Sequence, residues 1–489
     1  MVAAALGLTG AGGAQDRKGS VLTAAPRSPA PTLSDRPCDL TPDLGIAVDC
    51  HWVTVPLNRK HPRGNKIRLA VAVLHSRSRQ PEPDPVVFLE GGPGEFVVEN
   101  LADFADSPLL DKRDLVLFDQ RGTGLSEPNM ECPERERLVI RELGRVETYE
   151  VAVADERRAW RRCHSRLVAA GVDLDAFDTE ASAADLADLR VALGVKEWNL
   201  WGVSYGARVE LAAMRSHPTG IRSAVLDSVT PPHDRGLRAW VANADRALRA
   251  LFDDCAADSV CNARYPDLEG TFRSVIEQLN EAPFEATVDL GEPFGLVPFV
   301  MDGDDFVELV YDGLADSAMN GSVPLFITLV ATGNTALIPA FVPQMIRAEL
   351  GGAEAVHISV ECADLGGPRA GDRALVANPG DKGWLLPAAS TIFCDTWPVE
   401  RLPRAFNRPV RSRIPSLLLA GTYDPVTAPA DTKATANALR SATYVEFNGL
   451  GHVVSFANDC VIQIRLGFVD DPAAPDVSCA ATVQPSFQT

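Results

Sequence analysis

"WGVSYGARVE", residues 201–210, sets Ser204 between Gly202 and Gly206, and the way this serine is read decides the fold. A G-x-S-x-G match alone fits either a nucleophile or a serine in a tight turn. Its flanks separate the two. Trp198-Asn199-Leu200-Trp201 is an apolar and aromatic run that predicts a buried strand, and Val209, Ala212 and Ala213 then recur at helical spacing. Strand, sharp turn and helix follow one another. At such an elbow, side chains two places either side of the serine would collide with the neighbouring strand and helix, so glycine stands there. The turn lifts the hydroxyl out at the sheet edge and aims the first helical N–H groups at any oxyanion formed beside it.

Working outward, His51–Leu57 and Ile67–Leu74 alternate as strands do, with 58–64 as the turn. Pro85–Leu89 and Leu115–Phe118 are continuous apolar runs, each followed by a glycine-rich turn, GGPGE at 91–95 and DQRGTGLS at 119–126. Such runs suit strands buried on both faces of a mostly parallel sheet. The segment from Ser182 carries Leu186, Leu189 and Leu193 on one helical face, with a Ser-x-x-Asp start and Gly194 as its stop. Ser223–Asp227 is a further short strand, ended by Pro231-Pro232. The βα rhythm is lost over 235–406, where helical stretches such as Asn243–Asp254 and Asp304–Ser317 dominate. It returns with the strands Ser416–Ala420 and Thr443–Phe447. The expected organisation is a leader over 1–35 and a core in two parts, 36–234 and 407–489. A mainly helical cap over 235–406 is inserted between them.

The chain has 489 residues, 46% hydrophobic and 23% charged, enough for a large core and a second domain. A net charge of −20 argues against nucleic acid as a partner, because phosphate binding needs clustered Lys and Arg. No stretch is long and apolar enough to predict a membrane span. Ten cysteines, none in C-x-x-C or a zinc spacing, point to disulfides and an oxidising compartment rather than to a metal. Sequential pairing is the simplest expectation: Cys38–Cys50, Cys132–Cys163, Cys255–Cys261, Cys362–Cys394 and Cys460–Cys479. Composition alone leaves the connectivity open. An extracellular or envelope location calls for an export signal, yet Met1–Ala14 is small and mildly apolar and lacks a basic start. Residues 15–35 read as an unstructured leader.

A hydroxyl still needs a base. Of eight histidines, His452 stands in a Gly-Leu-Gly-His turn after the last expected strand, and His233 is the alternative beyond Ser223–Asp227. Asp424, in GTYDPVT, follows the run 416–420 and precedes His452 by room for one helix and one strand. Asp227 is the second candidate acid. Ser204, Asp424, His452 is the chain order of α/β-hydrolases, and of neither chymotrypsin-like nor subtilisin-like proteases. In these roles Asp424 would orient the imidazole, His452 would take the proton and Ser204 would attack a carbonyl. The oxyanion donors expected are the main-chain N–H of Tyr205 and that of Gly91 or Gly92; Pro93 has none.

Together GGPG, DQRGTG, GVSYG, the stretch 226–231, the Asp424 turn and the Gly-His turn resemble the proline iminopeptidase group of α/β-hydrolases, peptidase family S33. Cys255-x5-Cys261, CADLG at 362–366 and CDTWP at 394–398 narrow the resemblance to secreted actinomycete tripeptidyl aminopeptidases. It covers roughly residues 38–480, with Glu90 where His usually precedes GGPG, and Glu95 where Gly or Ser usually follows. The resemblance implies the α/β-hydrolase fold and an exopeptidase acting on peptides with a free N-terminus; no cofactor is expected, and no metal, because the sequence shows no ligand cluster. Carboxylesterase activity also occurs among such proteins, and a non-catalytic binding module is the remaining alternative on this fold. A monomer is the favoured state. A protonated α-amine calls for a carboxylate, and Glu361, Asp364 and Asp395 beside the Cys362–Cys394 pair, with Glu95, are the candidates.

Overall fold

The computed structural model describes residues 30–38, 44–233, 236–334, 350–377 and 390–488, with Ile338, Pro339, Val342, Pro343 and Ile346. The start of the expected leader, residues 1–29, lies outside the described residues. Its end does not fit that expectation, because Thr32–Asp35 is a strand. The strands are β1 (Thr32–Asp35), β2 (Val48–Pro56), β3 (Lys66–Leu74), β4 (Val86–Leu89), β5 (Leu115–Phe118), β6 (Trp198–Val203), β7 (Ile221–Asp227), β8 (Phe284–Asp289), β9 (Leu296–Met301), β10 (Ser416–Gly421) and β11 (Ala442–Phe447). Nine of them form one sheet in the order β1-β2-β3-β5-β4-β6-β7-β10-β11. The pairings from β5 to β11 are parallel; those joining β1, β2, β3 and β5 are antiparallel. This is an α/β-hydrolase fold, a mostly parallel sheet flanked by helices.

The helices are α1 (Pro133–Glu142), α2 (Tyr149–Ala169), α3 (Thr179–Ala192), α4 (Tyr205–Ser216), α5 (Leu237–Ala257), α6 (Ser259–Arg264), α7 (Leu268–Glu281), α8 (Gly303–Ala315), α9 (Val323–Ala331), α10 (Glu354–Asp364), α11 (Ala370–Ala377), α12 (Pro429–Ala438) and α13 (Asp459–Asp470). The apolar runs are buried on both faces for the reason anticipated. Val87 and Leu89 of β4 pack in one cluster with Leu186 and Leu189 of α3 and Val209 of α4; Val86 and Phe88 pack in another with Val461, Ile464 and Phe468 of α13. Successive side chains of one strand serve opposite layers. Helix α3 starts earlier than the Ser182 signal suggests, because the Asp178 carboxylate accepts the Ala181 N–H at 2.7 Å and Ser182 is buried inside the helix.

Between β7 and β10 the chain builds α5 to α9 around a separate apolar cluster that includes Leu251, Phe272, Phe306 and Ile327, while Val356 and Ile358 of α10 pack in the main core. An antiparallel hairpin, β8 with β9, is set among these helices, a feature the helical reading of 235–406 lacked. The five disulfides join Cys38 to Cys50, Cys132 to Cys163, Cys255 to Cys261, Cys362 to Cys394 and Cys460 to Cys479. Such bonds persist in oxidising compartments. No helix among the described residues is long and apolar enough to cross a membrane.

Two glycines separate close approach from mere helix composition. A Cβ on Gly206 would lie 2.1 Å from the Leu89 carbonyl oxygen, whereas one on Gly467, inside α13, meets nothing within 4 Å. Gly206→Ala is therefore expected to lower the thermal midpoint sharply or to block folding. Gly467→Ala should add about 0.5–1 kcal/mol of stability by removing backbone freedom from the unfolded chain. Thermal denaturation of the two variants checks the pair of outcomes.

Candidate active site

Ser204, Asp424, His452 and the Gly91–Gly92 loop each stand just beyond the C-terminal end of a parallel strand, where open α/β sheets place their sites. Ser204 follows β6 directly and has φ 51° and ψ −114°, a strained conformation for a non-glycine residue. Its N–H donates to the main-chain carbonyl of Asp227 at 2.9 Å, and its carbonyl accepts from Ala207 at 3.2 Å. Gly202 has no room for a side chain either, since a Cβ there would lie 2.7 Å from the Gly206 carbonyl carbon.

Asp424, in the turn after β10, is buried, and its Oδ1 accepts the N–H groups of Val426 at 2.8 Å and Thr427 at 2.7 Å. Its Oδ2 faces Nδ1 of His452 at 2.9 Å and accepts the Thr427 hydroxyl at 2.5 Å. This bond commits Nδ1 to the carboxylate and leaves Nε2 as the other ring nitrogen for proton transfer. Burial alone would raise the Asp424 pKa, but the His452 charge and hydrogen bond, with those from Thr427, bring it below the ordinary aspartate value. For His452, burial lowers the pKa; the charge and hydrogen bond of Asp424 and the charge of Asp227 outweigh it and hold the imidazole above its ordinary value.

The turns carrying this pair are braced by the helices inserted between β7 and β10. Asn243 of α5 donates to the Asp424 carbonyl at 3.1 Å; Arg246 donates to the same oxygen at 2.7 Å and to the Thr422 carbonyl at 2.6 Å. Tyr423 donates to the Asp254 carboxylate at 2.8 Å. At the other turn the His452 N–H donates to the Ala315 carbonyl at 2.6 Å, and the Gly451 N–H to the Ser317 hydroxyl at 2.9 Å.

A cavity of about 230 Å³ opens onto Ser204. Gly92, Arg208, Trp240, His357, Glu361, Thr427 and Asp431 are among the residues that line it. Thr427 joins this space to the Asp424–His452 pair, since its hydroxyl also lies 3.4 Å from Nδ1 of His452. The two loop glycines differ. Gly91 packs against Ser204, with a Cβ there only 3.2 Å from that of the serine, but its N–H donates to Oε1 of Glu90 at 2.9 Å. Gly92 faces the cavity. Behind the loop, Asp119 of the DQRGTG turn accepts the N–H groups of Val97 at 2.8 Å, Val98 at 2.9 Å and Leu125 at 2.9 Å. Burial pushes its carboxyl up to about 6 despite these bonds. Arg121 makes a two-pronged contact with Asp185, both bonds at 2.7 Å, so this motif is architecture.

The four carboxylates considered for an amine part company. Glu361 lines the cavity and lies 3.2 Å from the buried Arg208. Asp364 lies beneath it, accepting the Thr179 hydroxyl at 2.6 Å and standing 3.4 Å from Arg208. Burial pushes Asp364 up to about 7. Asp395 is on the surface, paired with Arg157 at 2.5 Å. Glu95 has solvent on one side, yet its carboxyl sits in a recess where desolvation and the charges of Glu90 and Glu354 push it up to about 7. Asp431, near the start of α12, joins Glu361 in the cavity wall. Nothing in its sequence context marks it, because the position matters only once α12 is folded against the site. His233 is not in the cavity lining, and Asp227 is wholly buried.

Fold and geometry define an α/β-hydrolase. Residues 84–272 match the family model for the alpha/beta hydrolase fold, and residues 386–479 match that for TAP-like proteins. The chain is an enzyme with the α/β-hydrolase fold, a hydrolase. It resembles a tripeptidyl aminopeptidase of Streptomyces lividans, 26% identical over 96% of this chain and 90% of the relative. It also resembles the serine protease Hip1 of Mycobacterium tuberculosis, 24% identical over 85% and 83% of the two chains. A crystal structure of a proline iminopeptidase from Mycobacterium smegmatis aligns over 86% of this chain and 98% of that one, with a TM-score of 0.43 and 15% identity.

If His452 is the base for Ser204, its raised pKa keeps the inactive, protonated imidazole populated to higher pH. The rate at which a fluorophosphonate labels Ser204 is expected to fall as pH is lowered through a value above 6.5, the ordinary histidine value. A labelling profile flat across that range, or a limb below it, contradicts the assignment of His452.

Proposed function

We propose that this chain is a serine exopeptidase that releases short peptides or single residues from a free N-terminus, using Ser204, His452 and Asp424. The observation that carries the reading is the cavity shared by Ser204 and the Glu361 carboxylate, adjoining the Asp424–His452 pair. His452 takes the Ser204 proton as Oγ attacks the scissile carbonyl. The N–H groups of Tyr205 and Gly92 stabilise the oxyanion, and the imidazolium then protonates the departing amine. Water, activated by the same imidazole, hydrolyses the acyl-enzyme.

The amine of the substrate is held at the acidic wall. One guanidinium, Arg208, faces two carboxylates, Glu361 and Asp364, so the group is net negative when both are ionised. Asp431 adds to it. The similarity to the Streptomyces tripeptidyl aminopeptidase supports a peptide substrate, and the five disulfides support export to an oxidising compartment. Residues 235–406 act as the cap that encloses the substrate.

Product mass spectrometry on short peptides, each with a free and an acetylated N-terminus and with Ser204→Ala as the blank, tests this. Only the free-amine peptides are expected to lose an N-terminal fragment, whose length gives the number of residues removed. Cleavage of both forms, or of neither while simple esters are hydrolysed, would overturn the exopeptidase assignment. Glu361→Gln should raise KM for a free-amine substrate by roughly ten- to a hundredfold, the loss of one charge-assisted hydrogen bond, with kcat little changed.

A further inference from the structure

We propose that Asp227 is a positioning residue that holds the serine elbow and the His452 turn in one register, an inference that rests on the triad reading above. It lies at the end of β7, between the strands that lead to the two turns, and is wholly buried. Its main-chain carbonyl accepts the N–H of Ser204 at 2.9 Å. Its side chain reaches the other turn, where Oδ1 accepts the Val454 N–H at 3.2 Å and Oδ2 the Ser455 N–H at 2.7 Å. The neighbouring Ser228 hydroxyl donates to Oδ1 at 3.0 Å and accepts the Val453 N–H at 2.8 Å. Three consecutive N–H groups after His452 are thus fixed from two residues of β7 and its end.

The need for such a grip is visible in the backbone. Val453 has φ 59°, a left-handed conformation that a β-branched side chain resists, and Ser204 on the other side has φ 51°. Strain of this kind persists only where the surroundings over-determine it. The anchorage extends further, since Trp201 of β6 donates from Nε1 to the Ser455 hydroxyl at 3.1 Å and the Arg465 guanidinium lies 3.6 Å from the centre of the Trp201 ring. Asp227 does not line the cavity, and its carboxylate oxygens are engaged by the turn rather than by the imidazole. It acts through His452 and Ser204. The charged groups around the imidazole are Asp424 from the β10 turn, with Arg246 of α5 on its carbonyl, and Asp227, with Arg465 of α13 behind it.

The test compares Asp227→Asn and Ser228→Ala with wild type, with Ser204→Ala as blank and Asp424→Asn as reference. Circular dichroism confirms folding, and the readouts are the pH dependence of Ser204 labelling by a fluorophosphonate and the kcat and KM for a cleaved peptide. In folded Asp227→Asn, labelling and kcat should fall about 10²-fold through misplacement of the base, with KM unmoved. The acid limb should move to lower pH, because a charge that favours the imidazolium has gone. Ser228→Ala, which frees one N–H, should lose labelling rate in the same direction but by less. Wild-type labelling with an unshifted limb in folded Asp227→Asn overturns the proposal, as does a loss equal to that of Asp424→Asn, which would make Asp227 the acid. If Asp227→Asn does not fold, Ser228→Ala decides by its labelling rate, and a wild-type rate overturns the proposal. Wild-type protein that is labelled but leaves every peptide intact removes the exopeptidase reading, while the labelling rates still judge Asp227.

Discussion

The close approach of Gly206 to the carbonyl of Leu89 lets α4 start against the end of β4, and the rest of the site is built around that contact. It forces the turn between β6 and α4 to be so short that Ser204 adopts a conformation costing on the order of 1–3 kcal/mol. The cost is offset by two buried sheet layers that no one-residue shift of β6 would preserve. In return Ser204 stands at the N-terminus of α4, the positive end of that helix.

Electrostatics at this edge of the sheet are divided by depth. Asp119, Asp227 and Asp424 are all buried carboxylates, and each spends its oxygens on main-chain N–H groups of a loop beside the site. Only Asp424 also reaches an imidazole, which is why burial fails to raise its pKa. Glu361 and Asp431 face the cavity instead and can meet a ligand. The net charge of −20 therefore says little about the site, whose acidity comes from a few carboxylates placed by folding.

What could be read from the sequence followed from packing rules that act locally. The runs at 85–89, 115–118 and 416–420 are continuous because both faces of those strands are covered, and the glycines around Ser204 are dictated by contacts two residues away. Where partners lie far apart in the chain the reading lost its grip. Asp364 and Asp395 flank the Cys362–Cys394 pair as Glu361 does, but the helical turn sends one toward Thr179 and Arg208, and a surface loop gives the other to Arg157. Asp227 looked like a spare acid because a carboxylate after a strand has the same local signature whether it meets an imidazole or two amides. Strand β1 was missed because all four of its residues are exposed, so only its backbone pairing with β2 defines it.

The bracing of the Asp424 and His452 turns by Asn243, Arg246, Asp254, Ala315 and Ser317 has a consequence for how such an enzyme can diversify. An insertion that touched only substrate could be exchanged wholesale, like a cassette, to alter specificity. Here α5 and the end of α8 are part of the scaffold that holds the Asp424 and His452 turns. New specificities must therefore arise by substitution on the cavity-facing side of those elements, at positions such as Trp240, while their inner faces stay fixed. Recombination at the ends of the insertion would deliver a new pocket above Asp424 and His452 turns stripped of their braces.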